Sequence, residues 1–153
     1  MKGYQYETKP YGHQRTALED SWSAKYYALF MEMGTGKTKV AIDTMAILWE
    51  SGQLSSVLII APKGVYDNWV KGEIPIHLPK RIPRVICRWT PAKTKKFEIE
   101  LTDFILNKEP VLKVFVMNVE AFSTPRGSDA AKAFLYQNPD NMVVVDESTT
   151  IKN

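Results

Sequence analysis

A glycine-rich break between an apolar strand and an apolar helix constrains this chain more than any other feature. The stretch Lys25–Phe30 is aromatic and aliphatic without interruption, which predicts a buried strand. Gly34 and Gly36 stop it, and Lys39–Trp49 follows with a helical pattern. Strand, glycine loop, Gly-Lys-Thr and helix, in that order, suit a nucleoside triphosphate. The glycines let backbone N–H groups close on phosphates, and the helix N-terminus adds partial positive charge. Met33, Gly34, Thr35, Gly36, Lys37 and Thr38 are therefore the expected phosphate-binding residues. Lys37 would reach the terminal phosphates, and the Thr38 hydroxyl would ligate Mg²⁺, so ATP and Mg²⁺ are the expected cofactors. One position departs from the general pattern: Met31 stands where glycine is usual, five residues before Gly36.

The far end of the chain carries the matching half of such a site. Met142-Val143-Val144-Val145 is a buried-strand pattern that runs into Asp146-Glu147. At a strand tip Asp146 is expected near Mg²⁺, and Glu147 is expected to polarise the attacking water. A cation between them offsets the repulsion of two adjacent carboxylates. Gln14, twenty residues before Gly34, is the candidate for reading an adenine edge, because its amide both donates and accepts.

Between these ends, apolar runs alternate with helical patterns. Val57–Ala61, Arg84–Trp89 and Val114–Met117 read as strands. Gln14–Trp22, Val65–Lys71, Thr94–Asn107 and Ala130–Tyr136 read as helices. The helix after the glycine loop is apolar nearly all round, broken mainly by Asp43 and Thr44, which predicts burial on more than one side. Pro75, Pro79 and Pro83 mark a loop, and Pro125–Ser128 reads as another. The expected fold class is α/β, a mainly parallel sheet flanked by helices, in one domain spanning residues 1–153.

Composition excludes several classes. Hydrophobic content of 44% and charged content of 24% fit a globular core. No apolar run approaches the ~20 residues of a membrane span, and residues 1–7 lack a signal-peptide core. The single cysteine, Cys87, cannot form an internal disulfide and sits in a strand-like run, as a buried inert thiol would. His13 and His77 stand apart from any ligand cluster. An intracellular, cytoplasmic location is expected, in a host cytoplasm if the chain is viral. Net charge is only +3, but Lys80–Lys96 holds seven basic residues and no acidic one. That run is either a solvated surface or a phosphate-backbone patch.

Several stretches together resemble one family. Glu32-Met33-Gly34-Thr35-Gly36-Lys37-Thr38 is similar to motif I of superfamily 2 helicases, in particular Swi/Snf-type DNA translocases. Pro10-Tyr11-Gly12-His13-Gln14 is similar to that family's opening glutamine motif. Val57–Lys63, with Asn68-Trp69 and Glu73-Ile74 after it, resembles motif Ia. Met117-Asn118-Val119-Glu120 resembles motif Ib, and Asp146–Asn153 resembles motif II. Thr149 stands where the family usually has histidine.

The resemblance implies a RecA-like first lobe that moves on double-stranded DNA by consuming ATP. It implies that Lys63 and Asn118 face the DNA backbone. Trp69 is expected simply to pack in the core. The resemblance also implies an incomplete lobe that stops after motif II, lacking motif III and a second RecA-like lobe with its arginine finger. Hydrolysis by the isolated chain is therefore expected to be negligible. In such folds another strand lies between the glycine-loop strand and the motif II strand, so a gap one strand wide is expected here. Three outcomes are open: direct pairing of the two strands, a strand donated by another copy or by the remainder of the lobe, or an unfilled gap; the donated strand is favoured, hence self-association or dependence on that remainder. Two other functions compete: a non-catalytic nucleotide-binding interaction module, and a small P-loop kinase.

Overall fold

The computed structural model describes residues 28–31 and 37–146. Five strands form one sheet: β1 Ala28–Met31, β2 Ser56–Ala61, β3 Arg84–Arg88, β4 Leu112–Asn118 and β5 Asn141–Asp146. Their spatial order is β1-β5-β2-β4-β3, and every pairing is parallel. The fold is RecA-like α/β. All six residues of β2 and all seven of β4 are buried, which explains the apolar runs Val57–Ala61 and Val114–Met117 within them: helices cover both faces of the sheet.

Period-two alternation divides those side chains between two cores. Val57, Ile59, Leu112, Val114, Val116, Met142 and Val144 pack against α1, Lys37–Glu50, and against Trp69, Ile74 and Leu78. Leu58, Ile60, Phe115 and Met117 pack against α4, Lys95–Leu106, and α6, Pro125–Gln137. Phe104 and Phe134 stack at 5.5 Å there, and Phe115 meets Phe134 edge-on at 5.4 Å. As its sequence predicts, α1 is buried from Lys39 through Leu48. It ends at Gly52, whose φ of +77° lets its N–H reach the Trp49 carbonyl while the Gln53 N–H reaches that of Leu48.

After β2 the chain forms α2, Tyr66–Asn68, then a π-helical turn, Trp69–Glu73, then α3, Ile74–His77. Pro75 lies in the first turn of α3, directly after the π-helical turn, so the expected loop begins later. The Pro125–Ser128 loop is likewise the start of α6: Thr124 caps it by accepting from Gly127 N at 3.1 Å, and Pro125 opens it. One short helix, α5 Val119–Phe122, has no counterpart among the sequence expectations. Thr94, read as the first residue of the helix, is instead its N-cap and accepts from Phe97 N at 3.1 Å.

The expected gap between the glycine-loop strand and the acidic strand is absent. β1 pairs directly with β5, Ala28 opposite Val143 through Met31 opposite Asp146. Backbone groups expected to wait for a donated strand are joined to each other. The ground for self-association at that place is thereby removed.

Candidate functional site

The register of β1 on β5 assembles the site. Met31 is the last residue of β1 and lies opposite Asp146, the last of β5. Adjacent strands lie about 4.8 Å apart, so Asp146 stands one strand spacing from the end of β1. α1 begins at Lys37, and Thr38 is half-buried in its first turn. Gln14, Met33, Gly34, Thr35, Gly36 and Glu147 lie outside the described residues.

Asp146 is 3% exposed, and its Oδ2 accepts a hydrogen bond from Trp69 Nε1 at 3.4 Å. Trp69 does pack in the core, as expected, with 1% of its surface exposed. Its polar contact with the acidic strand tip is what the sequence did not reveal. Asp146 and Thr38 carry hard oxygens, the donor type that Mg²⁺ takes. Among the described residues no group of three His, Cys, Asp or Glu side chains could hold a metal. That donor set fits Mg²⁺, which takes one or two carboxylates and completes its shell with water and phosphate.

Deeper in α1, Lys39 Nζ meets Asp43 Oδ2 at 2.5 Å, and both side chains are buried. Asp43 Oδ1 is buried with no hydrogen-bond partner. Burial raises the Asp43 pKa to about 6 although Lys39 acts to lower it. Burial also pushes the Cys87 thiol up to about 11, as suits an inert side chain.

A groove of about 620 Å³ opens beside the carboxyl ends of β2, β3 and β4. Lys63 and Asn118, distant in sequence, both line it, together with Tyr66, Trp89, Lys93 and Arg126. Lys63 is exposed, while Asn118 is buried and donates to Glu120 Oε1 at 3.1 Å. The Arg126 guanidinium lies 4.6 Å from the Trp89 ring centroid and donates from Nε to Glu98 at 3.0 Å. It also donates to the carbonyls of Thr90 and Ala92, which fixes the segment that leads to Lys93. No sequence signal singled out Tyr66 or Arg126.

The basic run does not form one patch. Strand β3 divides its members: Lys80 and Arg81 precede it, Arg84 and Arg88 are its end residues, and Lys93, Lys95 and Lys96 follow it, of which Lys93 lines the groove. Arg81 makes two hydrogen bonds to Glu50, Arg84 donates to the carbonyls of Pro79 and Ile82, and Arg88 pairs with Asp67. These arginines hold the fold, and the lysines beyond β3 are exposed.

An acidic strand tip beside a glycine-loop strand, in a parallel sheet of this order, defines a RecA-like lobe of the superfamily 2 helicase kind. The family model described as "Type III restriction enzyme, res subunit" matches residues 7–149, and the chain belongs to that family. Its lobe is thus an ATPase/helicase lobe. Among solved structures, the chain is similar to the Sulfolobus solfataricus SWI2/SNF2 ATPase core in complex with dsDNA, with a TM-score of 0.59 and 14% identity. That alignment covers 100% of this chain and 35% of the Sulfolobus chain. None of the curated proteins matches. Among the described residues, no helix is long and apolar enough to cross a membrane.

Proposed function

We propose that this lobe binds Mg·ATP between its glycine loop and Asp146, and holds the backbone of double-stranded DNA in the groove lined by Lys63 and Asn118. The observation that carries the reading is the register that sets Met31 opposite Asp146. It brings the carboxylate to the strand end from which a phosphate-binding loop would rise. Gly34, Thr35 and Gly36 would offer backbone N–H groups, Lys37 would neutralise the terminal phosphates, and Gln14 would read the adenine. Thr38 and Asp146 would hold Mg²⁺, which when bound offsets phosphate charge. Glu147 would orient and deprotonate the attacking water. Lys63 and Lys93 would meet phosphates by charge, with little dependence on base sequence. The similar Sulfolobus core is itself in complex with dsDNA, which supports this choice of partner.

Efficient turnover would need a cation from a second lobe. All four described arginines, Arg81, Arg84, Arg88 and Arg126, are engaged in contacts within this lobe. An arginine finger contributes ~10³–10⁵ in rate. A DNA-stimulated ATPase assay on the chain, alone and with an added second lobe, tests the proposal. Turnover well below ~1 s⁻¹ alone, raised by the second lobe and DNA and abolished by Glu147→Gln, is expected. Fast turnover by the chain alone, or none under any condition, contradicts it.

A further inference from the structure

Tyr66 and Trp69 stand three residues apart on the helical segment that follows β2, and they touch different sites. Tyr66 lines the groove and donates its hydroxyl to the Trp89 carbonyl at 3.3 Å. Trp69 points into the core under α1 and donates its indole N–H to Asp146. Packing alone would accept another large apolar ring at this place. The N–H is what demands a partner when an indole is buried, and the partner is the carboxylate at the tip of β5. Trp69 also opens the π-helical turn. Single turns of this wider helix are uncommon and recur at functional sites.

We propose that Trp69 is a positioning residue, holding the Asp146 carboxylate in place for Mg²⁺ and linking it through the Tyr66–Trp69 segment to the groove. The inference rests on the reading of Asp146 as a Mg²⁺ ligand. The indole N–H restricts rotation of a carboxylate whose ion demands near-octahedral geometry. Removing a hydrogen-bond partner from behind a metal ligand typically weakens metal binding ~10–100-fold. The same segment begins in the groove wall, so a displacement of Tyr66 by DNA reaches Trp69 within one helical turn.

The test is calorimetry of ADP binding by the full chain as Mg²⁺ is titrated, with and without a DNA duplex. Trp69→Phe keeps a large ring and removes the N–H. The expected result is unchanged ADP affinity without Mg²⁺ and a Mg²⁺ midpoint raised about tenfold. The duplex should move that midpoint in the wild type and not in the variant. Equal midpoints in the two proteins overturn the positioning role, and an equal duplex effect overturns the link. A wild type that binds no Mg·ADP overturns the nucleotide reading itself and this inference with it. If the variant does not fold, the wild-type Trp69 indole N–H resonance decides: it should move on addition of Mg·ADP and again with duplex, and an unmoved signal is contrary.

Discussion

Gly127 lies against the carbonyl of Ala121 so closely that a Cβ at Gly127 would overlap that oxygen. The contact lets the first turn of α6 close on α5, beside the groove residues Thr124 and Arg126. The obstacle is backbone, which cannot swing aside as a side-chain tip can. Gly127→Ala should therefore lower stability by about 1–3 kcal/mol, the usual cost of overpacking, despite alanine's better helix propensity. Urea denaturation measures it. A midpoint equal to or above that of the wild type would show that α5 yields freely.

Asp43 should make stability depend on pH in an unusual direction. Its folded pKa, about 6, lies above the ordinary value of 3.8. Between those values the folded state binds more protons than the unfolded one, so this group's contribution falls as pH rises. Its neighbour His77 is shifted down, chiefly by burial, with Lys39 adding to the shift and Glu73 opposing it. His77 therefore contributes the opposite slope below 6.5. Asp43→Asn removes only the first effect. The wild type should lose stability relative to the variant as pH rises from about 4 to about 7, on top of the constant offset that loss of the Lys39 contact sets between them. Parallel stability profiles from chemical denaturation would show that Asp43 is not charging within the fold.

Binding to DNA should divide the basic residues by their place relative to β3. Replacing Lys63 and Lys93 with alanine should reduce the salt slope of duplex binding by about one to two, since each phosphate contact contributes roughly 0.9. Arg81→Ala should leave the slope unchanged, because Arg81 is spent on Glu50 at the other end of the strand. Fluorescence anisotropy over a salt series measures both. A wild-type affinity insensitive to salt, or an equal effect of Arg81, would contradict the groove assignment.

Much of the lobe is legible in the sequence because parallel strands covered on both faces write themselves as continuous apolar runs. The structure extends Val57–Ala61 and Val114–Met117 by only a residue or two at their ends. The added residues explain the shortfall. Lys113 breaks the apolar pattern, yet it is buried in β4 and donates to the carbonyls of Phe104, Ile105 and Asn107 at the end of α4. Only the fold brings those acceptors to it. The same holds for the site. Asp146 ends a strand and Lys63 follows one, so local pattern marks both, whereas Trp69 and Arg126 bond partners 77 and 28 residues away. The direct pairing of β1 with β5 is not legible, because strand order is set by packing between helices and no local pattern records it.

The most direct test of the central claim is isothermal calorimetry of Mg·ATP binding by the wild-type chain and by Lys37→Ala. Lys37 is the first residue of α1, the helix that follows β1 in the chain. It would place the only side-chain ammonium of the glycine motif on the phosphates. The account predicts measurable binding by the wild type and its loss in the variant, with the melting temperature of the two proteins alike. Equal affinity for Mg·ATP in the two proteins would contradict it.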